Sequence, residues 1–221
     1  MLVMKRFLRD NSLSLVFLAL FAVAIAGQIY FGWQQYNKEL LEEGGAKVWL
    51  WQYLSSGHFA ESTFENWESE FLQMALFVVL TIFLQQKGSS ESKDFDRPQD
   101  VDRRPNPLKS GAPWPVRKGG IWLSLYKNSL AIALFLLFAA SFVAHFYGSL
   151  SDENTRLSLP GKSVETPGDY LGDSRFWFES FQNWQSEFLS VLAIVILSIY
   201  LRQHGSPQSK PVDAPHSQTG D

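Results

Sequence analysis

Two long apolar runs decide what this chain can become. Leu13–Trp33 and Leu130–Tyr147 are each mostly apolar and close to the ~20 residues that a helix needs to cross a bilayer. Two shorter runs, Phe71–Leu84 and Phe188–Leu201, hold fourteen residues each. At about 1.5 Å per residue such a helix reaches about 21 Å, against a hydrocarbon core of about 30 Å. To cross, the shorter runs must recruit the residues in front of them. The segments between the runs are polar and rich in Pro, with too little apolar content for a second core.

Those recruited residues are nearly the same in both places. Phe64–Leu72 reads FENWESEFL and Phe181–Leu189 reads FQNWQSEFL, an offset of 181 − 64 = 117. The same offset, without a gap, sets Asn11-Ser12-Leu13 on Asn128-Ser129-Leu130, Tyr53-Leu54 on Tyr170-Leu171, and LQQKGSSESK (84–93) on LRQHGSPQSK (201–210). Each copy reads as a long span, a polar loop, the repeated motif, a second span and a G-S-x-x-S-K tail. The fold class expected is therefore an all-α membrane protein. Its four transmembrane helices form two tandem parallel helix-pair repeats, related by an axis along the membrane normal. Residues 1–96 make the first repeat, with spans near 12–33 and 65–87. Residues 97–121 make a Pro-rich cytoplasmic linker. Residues 122–213 make the second repeat, with spans near 128–148 and 182–204, and residues 214–221 a disordered tail.

The charged residues orient this plan. Of 19 Lys and Arg, fourteen fall at the N-terminus, in the middle connection or after the last span, and five in the two loops inside the repeats. The positive-inside rule then puts both termini and the linker in the cytoplasm. Lys5, Arg6 and Arg9, an apolar run and Ala24-Ile25-Ala26 imitate a signal peptide. The apolar character continues through Ile29–Trp33, however, and the second copy holds the same segment inside the chain. A retained anchor is expected.

Other functions lose ground on composition. A net charge of −3 with no basic stripe gives nucleic acid nothing to bind. With no Cys, and with His58, His145, His204 and His216 scattered, no metal ligand set or thiol chemistry is expected. No HExxH, G-x-S-x-G or phosphate loop is present. We expect no catalytic residue, no metal, no cofactor and no enzyme.

The repeated motif offers the one candidate site. On a helix, Asn66, Glu70, Gln73, Phe77 and Thr81 share a face, as do Asn183, Glu187, Ser190, Ile194 and Ser198. A polar stripe in a span faces the bundle interior, because lipid cannot satisfy it. Gln28 and His145 fall at equivalent places on the long spans, and the expected pairs are Glu70 with Gln28 and Glu187 with His145. Trp67 and Trp184 are expected to anchor at the headgroup level. Interhelical hydrogen-bond glue is the plainer reading of the stripe, and an ion or proton site the sharper one.

The motif NW-x-SEFL followed by L-x-Q-x-G-S-x-x-S-K resembles a small bacterial membrane-protein family, common in actinobacteria and catalogued only as a domain of unknown function. The resemblance spans nearly the whole chain and includes RDNSLSLVFLALF and YLSSGHFAESTFENWESEFLQM. It implies the bacterial cytoplasmic membrane, with the lipid bilayer as partner, and it implies no activity. A non-enzymatic structural, assembly or envelope/stress-related factor is the function expected. The alternative is an ion or proton pathway built by a homo-oligomer from the Asn/Glu stripes.

Overall fold

Apolar runs without Pro become long helices, and glycines and prolines end them. The computed structural model describes residues 2–220, which form nine α-helices, one 3₁₀ turn at Asp100–Asp102 and no strand among them. In chain order the helices are α1 (Leu2–Asp10), α2 (Ser12–Glu42), α3 (Leu50–Leu54), α4 (Gly57–Phe83), α5 (Trp114–Lys118), α6 (Gly120–Lys127), α7 (Ser129–Ser158), α8 (Pro167–Leu171) and α9 (Ser174–Tyr200). Just past the end of α2, Gly44 has φ +83°, a left-handed conformation that favours Gly.

Three helices, α2, α7 and α9, are long and apolar enough to cross a membrane, which points to a membrane location. Four were expected, and α4 is the one that falls short. It matches α9 in length, 27 residues each, but carries Glu65 and Glu68 where α9 carries Gln182 and Gln185. Its apolar half is also the weaker one, with Gln73, Met74 and Ala75 where α9 has Ser190, Val191 and Leu192. The helices also outrun the apolar runs. Both α4 and α9 start well before the spans expected near 65–87 and 182–204, and each ends four residues short of the expected end, at Phe83 and Tyr200 (87 − 83 = 204 − 200 = 4).

The chain folds as two compact units, one containing the residues up to Thr63 with Ala144–Asp173, the other Phe64–Val143 with the residues from Ser174 onward. In the first unit a small core of Tyr36, Leu40 and Tyr53 is covered by Trp33, Val48, Leu50 and Phe59. The loop after α2 is clasped from the helix. Asn37 Nδ2 donates to the Val48 carbonyl at 3.2 Å, and the Val48 N–H donates to Asn37 Oδ1 at 2.6 Å. Trp33 Nε1 adds a third bond to the same carbonyl at 2.9 Å. After α7, Asn154 clasps Glu165 likewise, with Nδ2 donating to the carbonyl at 3.0 Å and the N–H donating to Oδ1 at 2.7 Å.

Two buried tyrosines sit under these loops. The Tyr53 hydroxyl fills the space a side chain at Gly32 would take, and the Tyr170 hydroxyl meets Ser149 Oγ at 2.5 Å. The start of α4 crosses α7 at close range, since a Cβ on Gly148 would lie 2.6 Å from the Glu61 nitrogen.

The second unit buries Ala75 and Phe176, with the Phe176 ring edge-on to Phe142 at 5.5 Å. Its polar end is held by side chains far apart in sequence. Ser89 and Ser198 share a hydrogen bond at 3.0 Å. The Gly88 N–H donates to Thr219 Oγ1 at 2.9 Å, and the Gly220 N–H to the Ser89 carbonyl at 3.0 Å. Lys210 is 1% exposed, and its ammonium donates to the carbonyls of Gly88, His216 and Gln218. Burial first, and the neighbouring Arg202 second, lower its pKa below the ordinary lysine value. The tail, which composition reads as disordered, is thus tied to the loop after α4. The Pro-rich linker holds little regular structure beyond the 3₁₀ turn and α5.

Candidate functional site

Burial on α4 singles out a different face from the one the motif suggested. Glu68 is 0% exposed, Ser69 2% and Ala75 0%, while Asn66 and Glu70 are exposed. Each residue turns an α-helix by about 100°, so Glu68 and Ala75 nearly superpose, and Glu70 lies about 200° from Glu68. Asn66 and Glu70 thus lie on the more open side of α4, while Gln73, Phe77 and Thr81 of the same stripe are half-buried.

Glu68 has a specific donor. Trp184 Nε1 donates to Glu68 Oε1 at 2.8 Å. A buried carboxylate needs such a partner, because stripping it of water is costly. Trp184, expected to anchor at the headgroups, commits its N–H to this bond. Trp67 packs edge-on against Phe64 at 5.2 Å, and Trp184 against Phe181 at the same distance. Sequence reasoning passed over Glu68 because the second copy has Gln185 in its place. The phase it shares with Ala75 was the available signal.

Glu70 and Glu187 find each other. Their side chains lie near each other, one on α4 and one on α9. Gln28, the partner expected for Glu70, donates its amide to Thr63 Oγ1 at 3.1 Å. His145 is fully buried on α7. Asn183 Nδ2 bonds within its own helix to the Glu179 carbonyl at 3.1 Å, and the Asn66 carbonyl accepts from Ser69 Oγ at 2.8 Å. The Asn183 side chain thus serves its own helix, and the two glutamates face each other from α4 and α9.

A further carboxylate pair lies in the second unit. Oxygens of Glu65 and Glu179 come within 4.8 Å of each other, and Arg175 Nε donates to Glu179 at 2.8 Å. The first unit carries its own polar cluster, which the sequence did not reveal. Arg156 bridges Glu39 at 3.2 Å and Asp152 at 3.1 Å. His58 Nε2 lies 3.7 Å from the same Glu39. Asp152 is 1% exposed, so its pairing with Arg156 offsets a large desolvation cost. Chemically, these groups can hold helices together, and the paired carboxyls can hold a proton.

No curated protein and no solved structure matches the chain. From residue 4 to residue 221 it matches the family described only as a domain of unknown function, DUF6766, and it belongs to that family.

Proposed function

We propose that the chain is a multi-pass membrane protein of four spanning helices, built by duplication of a helix pair, with a non-enzymatic structural or assembly role. The observation that carries this reading is how its buried polar groups are used. Glu68 with Trp184, Gln28 with Thr63, Ser149 with Tyr170 and Ser89 with Ser198 each tie one helix or loop to another. Side chains spent on such bonds act as interhelical glue.

Duplication is supported by recurrence at one interval. The two Asn clasps differ by 154 − 37 = 117 in their asparagines and by 165 − 48 = 117 in the residues they hold. Helices α3 and α8, and α4 and α9, begin and end at the same interval. Equivalent residues also meet: Glu39 bonds Arg156 in the first unit, and Glu70 lies near Glu187 in the second. A residue meets its own equivalent only near the axis that relates two copies. In this reading α4 completes the fourth span, with Glu68 buried against Trp184, and both termini lie in the cytoplasm. A reporter fused near residue 105 should be active only in the cytoplasm.

A second reading rests on the Glu70–Glu187 contact, since two facing carboxyls suit a proton or cation pathway in an oligomer. Flux of protons, sodium and potassium into liposomes holding the purified protein separates the two. Flux equal to that of empty liposomes agrees with the structural role. Proton or cation flux that E70Q/E187Q abolishes would replace it with the pathway.

A further inference from the structure

We propose that the groove at the end of α2 binds an anionic glycerophospholipid by its phosphate headgroup. The groove has a volume of about 650 Å³ and is lined by Trp33, Leu41, Val48 and Trp49 on its apolar side and by Lys38 and Lys47 on its polar side. No carboxylate lines it. Glu42 stands 3.9 Å from Lys38, and both side chains are about two-thirds exposed. Such a pair contributes little and gives way to a better anion.

Its surroundings suit a lipid. Trp49 and Trp51 are 77% and 76% exposed, and exposed indoles favour the headgroup level of a bilayer. Trp33 commits its N–H to the Val48 carbonyl, which leaves its ring as an apolar wall. One turn back, α2 exposes Tyr30 and Phe31, a surface along which acyl chains can lie. The phosphodiester would rest between the two ammonium groups, with the glycerol against Trp33 and Trp49.

The loop after α7 supplies an internal control. It is clasped by Asn154 as the first is by Asn37, and its groove is of similar size, about 670 Å³. There Lys162 is outnumbered by Glu165, Asp169 and Asp173. Two like backbone cradles therefore carry opposite charge, and only the first suits an anion.

This proposal rests on the membrane reading, and the experiment keeps the two apart. Alkaline carbonate that strips the full chain from membranes would overturn the membrane reading and the lipid site with it. With the chain retained, native mass spectrometry is run in equimolar phosphatidylglycerol and phosphatidylcholine. Wild type should hold the anionic lipid preferentially, and losing each lysine should weaken that binding by about five-fold. K38Q/K47Q should lose the preference, K162Q should keep it, and K47E should lose it with the rest of the groove intact. Equal retention of both lipids by wild type would overturn the lipid site alone. So would an unchanged preference in K38Q/K47Q and K47E, or displacement of the lipid by millimolar inorganic phosphate.

Discussion

Asn37 and Asn154 each close a loop with two hydrogen bonds, but their surroundings differ. If Asn37 is replaced by Ala, the Val48 N–H loses its acceptor while the Val48 carbonyl keeps Trp33. In the other loop Leu150 stands where Trp33 stands, at 150 − 33 = 117, and offers no donor. An orphaned buried backbone group costs about 1–3 kcal/mol. Asn154→Ala should therefore lower the melting temperature in detergent more than Asn37→Ala, and the opposite order would count against the clasp as the source of stability. Glu165 adds a pH effect. Burial first, then the carboxylates of Asp173, Glu153 and Asp169, raise its pKa above the ordinary glutamate value. The folded state then holds a proton that the unfolded state releases. Stability from this group is present at acid pH and is lost as pH rises through the raised folded pKa. Glu165→Gln should flatten the decline in melting temperature between mildly acidic and neutral pH, and a variant that declines as steeply as wild type would contradict it.

At the scale of elements, the sequence announced α2 and α7 plainly, because long apolar runs without Pro leave little other choice. It located the repeated motif on helices, as found in α4 and α9. It missed where those two helices begin, since the residues from Gly57 and Ser174 are polar or aromatic and extend no apolar run. Their helicity depends on packing, as the full burial of Phe176 illustrates, and packing is not legible in a local window. The burial of Glu68 on α4 was not legible for a related reason: a short mixed pattern fits more than one helical phase. The ties among Gly88, Ser89, Ser198, Lys210 and Thr219 join residues about a hundred positions apart, which no pattern along the chain records. The crossing of α4 and α7 gives this scale its prediction. At Gly148 a Cβ would press on the backbone of Glu61 and on Ala60, and neither can rotate away. Gly148→Val should cost about 1–3 kcal/mol or more through overpacking, read as an earlier melt in detergent. A neutral result would mean the two helices are not held this close.

For the whole molecule, the duplication proposal makes a demand that no single helix makes. Near the axis, a residue faces its own equivalent, so an identical pair there sets like charge against like charge. The two copies have diverged at one such place, where Glu39 faces Arg156 at 3.2 Å. The helical neighbours diverged with it: Gln35 donates to Glu39 at 2.8 Å, and Asp152, at 152 − 35 = 117, pairs with Arg156 at 3.1 Å. Each end of the ion pair thus carries a supporting residue four positions earlier on its own helix. Glu39→Arg should set two guanidiniums together, and Arg156→Glu should set a carboxylate beside both Glu39 and Asp152. Each single change should lower stability, the second more, because Asp152 is nearly fully buried and loses its cation. The double exchange E39R/R156E should restore only part of the loss, since position 156 would still face Asp152. Adding D152Q and Q35D exchanges the whole local pattern between the copies, and if the axis is real it should recover most of the remaining deficit. Double-mutant cycles on thermal melts would measure this. A fourfold exchange no better than E39R alone would show that the two helices are not equivalent in their surroundings, and the proposed symmetry would fail.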